Sequence, residues 1–240
     1  GLSRTRTRTA IPAEKERQTR VRRLLLWMAG NTWMRRNIPR LWFARRAVRR
    51  FMPGERVEDA LNAAQKFHDQ GIAILFTRVG ENVTRDAQHR EAADHYAALI
   101  EETYRRGLDG EASVKLTHLG MDMSPSAMHE HMDRLAQAAA EQGTKMLWID
   151  MEGSDYTEAT LAEYERLKQT HPNVGICLQA YLKRTYSDVE RLLPLDPRIR
   201  LVKGAYKEPT DIAYQSRREV DANYLALCVS MLAEIKAGRD

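Results

Sequence analysis

Several short apolar runs in this chain carry polar residues at or near one end. Lys115 lies in Ser-Val-Lys-Leu-Thr, Asp150 closes Leu-Trp-Ile-Asp, Gln179 closes Ile-Cys-Leu-Gln, and Arg200 and Lys203 flank Leu201-Val202. A cation placed in such a run is costly to bury unless it meets a carboxylate, a phosphate or a substrate anion. Asp150 is the internal partner that the sequence offers. Taken singly, each residue is as readily a salt-bridging or solvent-facing position as a catalytic one, but recurrence at the same end of four runs shifts the balance toward a site. Other chemistries lack their signatures: there is no Gly-x-Gly-x-x-Gly, Walker loop, Gly-x-Ser-x-Gly elbow, Cys-x-x-Cys or His-Glu-x-x-His. His118, Asp150 and Glu152 are an alternative metal set, of the kind used by barrel isomerases and aldolases. His129 and His131, which would complete it, fall in a helical segment, and His68, His89 and His95 read as exposed positions on helices.

The elements that must position these residues alternate along the chain. Ile72–Thr77, Ala112–His118, Lys145–Asp150, Val174–Tyr181 and Arg198–Lys203 read as strands. Between and after them, helical patterns run over Asp86–Arg106, from Ser124-Pro125 to near Gly143, from Thr157 to about Thr170, over Tyr186–Leu193 and over Ser216–Ala237. Ser124-Pro125 supplies a cap and a first helical turn, and His171-Pro172-Asn173 a stop. Val57 to Gln70 spaces Val57, Leu61, Ala64 and Phe67 as one helical face. Five βα units in succession predict a parallel sheet of the (βα)8 TIM-barrel type, whose active sites gather at the C-terminal ends of the strands. The predicted division is a basic N-terminal arm with helices over 1–50 and a partial barrel over 51–240.

Charge separates the same two regions. The net charge is +5, with 38 Lys and Arg against 33 Asp and Glu, yet residues 1–50 hold 15 basic against 2 acidic residues and residues 51–240 hold 23 against 31. The arm also carries Trp27, Trp33, Trp42 and Phe43. The plainest reading is helices whose aromatics pack while their arginines face water; contact with an anionic membrane is the second reading, and nucleic acid is not the expected partner. The first nine residues have almost nothing apolar to bury and are expected to be disordered or held by something else. No run approaches a membrane span, and Cys177 and Cys228 sit in apolar runs as small hydrophobes, which favours a reducing, cytoplasmic setting.

Asp150-Met-Glu-Gly-Ser, Cys177-Leu-Gln-Ala-Tyr-Leu-Lys-Arg-Thr185 and Arg200-Leu-Val-Lys-Gly-Ala-Tyr-Lys-Glu-Pro209 together resemble the proline dehydrogenase family of monofunctional bacterial type, as do Pro53-Gly-Glu and Gly80-Glu-Asn-Val-Thr84. The resemblance runs from about Leu24 to the end of the chain, and Arg-Leu-Val-Lys-Gly-Ala-Tyr is its most specific part. It implies an FAD enzyme that oxidises L-proline to pyrroline-5-carboxylate, the first step of proline catabolism, and passes electrons to a membrane quinone, which would place it peripherally at the inner membrane. By position, it implies Arg200 beside the flavin N5 and Asp150 orienting the cations of the site. Met151, Gln179, Val202, Lys203 and Gly204 would approach the cofactor; Lys115 would face the substrate carboxylate, and Ala205 and Tyr206 would line the proline ring. The family's barrel has about three further βα units and a final helix with an arginine pair that clamps the proline carboxylate. Arg217-Arg218 is not that pair, so the expectation is that these 240 residues alone bind FAD weakly or aggregate.

Overall fold

The chain divides into two units, Gly1–Glu55 and Arg56–Asp240. The computed structural model describes residues 53–54, 56–79, 86–143, 145–236 and 238. The basic arm and the Gly80–Thr84 run therefore lie outside the described residues, and the sheet with its site belongs to the second unit.

Helix α1 (Val57–His68) leads into β1 (Ile74–Thr77), α2 (Asp86–Arg105), β2 (Gly110–Val114), α3 (Pro125–Glu141) and β3 (Leu147–Ile149). Then come α4 (Thr157–Lys168), β4 (Val174–Gln179), α5 (Thr185–Leu192), β5 (Arg198–Val202) and α6 (Arg217–Lys236). The five strands form one sheet in the order β1-β2-β3-β4-β5, and every pairing is parallel. This is the five-unit portion of a (βα) barrel of the TIM type, with β1 and β5 at its edges among the described residues.

Strand periodicity sorts the side chains onto two faces. Ala112, Val114, Leu147, Ile149, Val174, Ile176 and Leu178 lie under the helices and are at most 3% exposed. Each such Val, Leu or Ile side chain removed from water contributes about 1.5–3 kcal/mol, which is why helices seal this face. Ser113, Trp148, Asp150, Cys177, Gln179 and Arg200 occupy the other face, the concave one. Gly175 belongs to this face too, and its lack of a side chain has a cause: a Cβ there would sit 2.5 Å from the ring of Trp148.

Local signals explain most boundaries. Ser124 caps α3, its Oγ accepting from the Ala127 amide at 3.4 Å, with Pro125 opening the helix. Thr185 donates its hydroxyl to the Gln179 carbonyl at 2.6 Å, tying the start of α5 to the end of β4. Several expectations need correction. Strand β2 ends at Val114, because Leu116 and Leu119 turn inward to full burial and draw Thr117–Leu119 into a 3-10 turn. On α1, Leu61 and Ala64 are buried as expected, but Phe67 is 51% exposed. His89 is buried rather than exposed, packed against His131 with Nδ1 and Nε2 3.0 Å apart, and His68 and His95 are half-buried. Both cysteines are free; Cys177 is buried and Cys228 half-buried.

Candidate active site

Arg200 is the third of the five residues of β5, mid-strand rather than at its end, and half-buried on the concave face. Its Nη2 donates to Asp150 Oδ1 at 2.5 Å and to Ser113 Oγ at 3.0 Å. Asp150 follows β3 directly; Ser113 on β2 donates to its Oδ1 at 2.5 Å and Thr77, the last residue of β1, to its Oδ2 at 3.2 Å. One carboxylate thus gathers groups from β1, β2 and β5. Charge-assisted bonds of this kind are about twice as strong as neutral ones and hold both partners in a single geometry.

The floor beneath the pair is aromatic. Trp148 lies under the guanidinium, 5.8 Å from ring centroid to Arg200, and its indole Nε1 donates to Glu111 Oε2 at 2.7 Å. The face of the indole is electronegative and favours the cation above it. Cys177 is the register partner of Arg200 on β4. Burial pushes its thiol pKa up, and the neighbouring guanidinium only partly offsets this, so the thiol stays protonated.

Two buried polar atoms on this face are unspent. Arg200 Nε and Gln179 Oε1 have no hydrogen-bond partner, although Gln179 Nε2 donates to the Met151 carbonyl at 3.1 Å. A buried unpaired donor or acceptor costs about 1–3 kcal/mol, so these two atoms on the concave face leave capacity for a ligand with complementary groups.

Lys115 is half-buried just beyond β2, at the level of Asp150, and no ion pair engages it among the described residues. Its charge acts on Glu152, whose carboxyl is nevertheless raised above the usual range because burial dominates over the Thr117 hydrogen bonds and over Lys115. Glu152 accepts from Thr117 Oγ1 at 2.7 Å and from the Thr117 amide at 3.2 Å. Asp150 therefore partners Arg200, not both cations as the sequence suggested. Beyond β5, Gly204 turns at φ 106°, with so little room that a Cβ would overlap the Tyr181 ring. Ala205 and Tyr206 follow, exposed at the mouth. Partial burial, then the charges of Glu152 and Asp150, raise the Tyr206 phenol, so this ring stands near both carboxylates.

The structure thus brings together Asp150, Arg200, Lys115, Gln179 and Tyr206 around one concave surface, while Met151 is buried in the core and meets Gln179 through its carbonyl. Val202 joins them through the backbone, its carbonyl accepting from the Ala180 amide at 2.7 Å. Lys203 turns away: its Nζ pairs with Asp221 Oδ1 of α6 at 2.5 Å and lies 5.9 Å from the Tyr224 ring centroid. Thr77, Ser113 and Trp148 were not singled out from sequence. Period-two counting back from Lys115 and Asp150 reaches Ser113 and Trp148, whereas nothing local marks Thr77. Among the described residues, no three His, Cys, Asp or Glu side chains meet in ligating geometry, and Asp150 and Glu152 are committed to Arg200 and Thr117. The alternative metal set therefore gains no support from the placement of its members.

A parallel βα sheet of the TIM type whose concave face carries the Arg200–Asp150 pair is the architecture of a barrel enzyme. The model of the proline dehydrogenase family matches residues 60–239, and the chain belongs to that family. Proline dehydrogenase 1 of Bacillus subtilis subsp. natto is 30% identical over 207 residues, 86% of this chain and 68% of that protein. Proline dehydrogenase of Deinococcus radiodurans is 34% identical over 194 residues, 79% of this chain and 61% of that protein. The fold is similar to that of proline utilization A from Bdellovibrio bacteriovorus, solved after inactivation by N-propargylglycine, with TM-score 0.67 and 22% identity over 77% of this chain and 24% of that one. The chain spans about two thirds of the length of these curated relatives and about a quarter of that solved structure.

Proposed function

We propose that the chain forms the strand-end half of the active site of a flavin-dependent proline dehydrogenase, which oxidises L-proline to pyrroline-5-carboxylate and delivers electrons to a quinone. The observation that carries this reading is the Arg200–Asp150 pair on the concave face, with Arg200 Nε and Gln179 Oε1 unspent on the same face, in a member of this family. The unspent donor and acceptor suit the carbonyl oxygens and ring N–H along the edge of a flavin, so the residues present fit FAD. When bound, FAD supplies the acceptor for the hydride that leaves the proline ring carbon next to nitrogen. Arg200 offers a fixed positive charge where negative charge develops, and Asp150 holds that guanidinium in one orientation. Lys115, without an ion-pair partner among the described residues, attracts the substrate carboxylate, and Tyr206 limits the mouth. The proline nitrogen gives up its proton to solvent, which the exposed mouth admits.

Arg200→Met is expected to slow proline-dependent reduction of a soluble dye by at least about a hundredfold in the full-length protein, as loss of a preorganised charge does, with its circular dichroism unchanged. Wild-type rates in that variant would remove Arg200 from the mechanism. The basic arm, 15 Lys and Arg against 2 acidic residues over 1–50, brings the chain to the anionic membrane surface where quinone resides. Sedimentation with anionic liposomes should fall steeply with salt and weaken on deletion of residues 1–20; binding indifferent to both would sink the docking role.

A further inference from the structure

Glu208 belongs to none of the groups assigned above, yet its carboxylate is fully engaged across the mouth of the sheet. Oε1 accepts from the Ser154 amide at 2.8 Å and Oε2 from the Ser154 hydroxyl at 2.6 Å. Ser154 opens the turn Ser154–Tyr156 between β3 and α4, a few residues after Asp150, Met151 and Glu152. Glu208 lies between β5 and α6, shortly after Ala205 and Tyr206. One side chain therefore joins the two segments that carry most of the mouth.

The segment after β5 is anchored elsewhere as well, but to a different neighbour. Its first residue holds the Tyr181 amide through the Lys203 carbonyl at 2.9 Å, and Gly204 turns against the Tyr181 ring. Farther on, the Lys183 amide donates to the Ile212 carbonyl at 3.0 Å and the Tyr214 amide to the Tyr181 carbonyl at 2.8 Å. All of these tie the segment to the stretch after β4. Ala205, Tyr206 and Lys207, between them, are exposed. Among the described residues, only Glu208 is seen to bridge to the stretch after β3, and it does so with both oxygens, which fixes direction as well as distance.

We propose that Glu208 is a positioning residue that latches the Ala205–Tyr206 segment onto the Asp150–Glu152 segment and so sets the width of the substrate mouth; the effect on proline rests on the functional reading above. The latch acts on binding more than on the chemical step, because Arg200 and Asp150 are held from the sheet and not from these loops.

The test uses the full-length protein with Glu208→Ala, Glu208→Gln and Ser154→Ala. Glutamine keeps an acceptor for the Ser154 amide and offers a donor to its hydroxyl, while Ser154→Ala removes one of the two bonds. Glu208→Ala should raise KM for proline about tenfold with kcat within about threefold, as expected for a lost charge-assisted contact that serves binding. Tryptic cleavage after Lys207 should quicken in the same variant, Ser154→Ala should be intermediate, and Glu208→Gln should restore both readouts. An unchanged KM, or activity that falls only in proportion to folded protein, overturns the proposal. If Glu208→Ala does not fold, Ser154→Ala and Glu208→Gln carry the comparison by the same criteria. A wild-type protein that oxidises no proline would instead defeat the functional reading, and cleavage rates alone then decide the latch: faster in Glu208→Ala supports it, equal overturns it.

Discussion

A carboxylate that collects three partners cannot be exchanged without stranding one of them. Asp150 holds Arg200, Ser113 and Thr77 at once, while the charge of Lys115 falls on Glu152 instead. Asp150→Ala leaves the half-buried guanidinium unpaired and is expected to cost about 3 kcal/mol in denaturant unfolding. In double-mutant cycles, Asp150→Ala with Ser113→Ala should depart from additivity by more than about 0.5 kcal/mol, whereas Asp150→Ala with Lys115→Ala should add within about that margin. Equal coupling in both cycles would return Lys115 to the Asp150 network. Much of this was legible in the chain, since a cation in an apolar strand demands an anion and Asp150 was available. Which cation takes it was not, because the choice depends on where β2 ends, and the inward turn of Leu116 and Leu119 sets that end. Lys203 shows the same limit: its position in the Arg-Leu-Val-Lys run is fixed, but its side chain goes to Asp221, a helical residue that no local pattern links to it.

At the scale of elements, alternation of β-rich and helical runs identified every strand and helix of the described sheet, with ends misplaced by a few residues. The overruns at the ends of β2 and β4 share one origin. Apolar residues continue past the last ladder hydrogen bond because the loops above the strands are buried too, as in Leu116–Leu119 and Ala180–Leu182. The concave face was readable only in part, since its occupants include Gly175 and Trp148, which bear no signature of a site. Their fit is nonetheless specific: with a Cβ at Gly175 set 2.5 Å from the indole, Gly175→Ala must move Trp148 or the strand. The expected cost is about 1–3 kcal/mol of stability by denaturant unfolding, as for other overpacked core positions. A neutral Gly175→Ala would mean that the indole has room to withdraw and is not the fixed floor under Arg200.

For the molecule as a whole, the helix-covered face supplies stability and the concave face carries the polar groups of the candidate site, and the two are separated by strand periodicity alone. The described sheet leaves β1 and β5 as edges, with Leu75 40% exposed, and α6 presents Leu225, Val229, Leu232 and Ile235 at 51–65% exposure. Such edges and apolar faces call for covering partners, and in the barrel architecture these are further βα units. The central claim is that the concave surface belongs to a site that holds FAD and brings proline to it. The most direct measurement is the visible absorption spectrum of the purified full-length protein, recorded without oxygen before and after proline is added. The account predicts a yellow protein whose flavin bands bleach on addition of L-proline. A protein that binds no flavin, or whose bound flavin keeps its oxidised spectrum in the presence of proline, would contradict it.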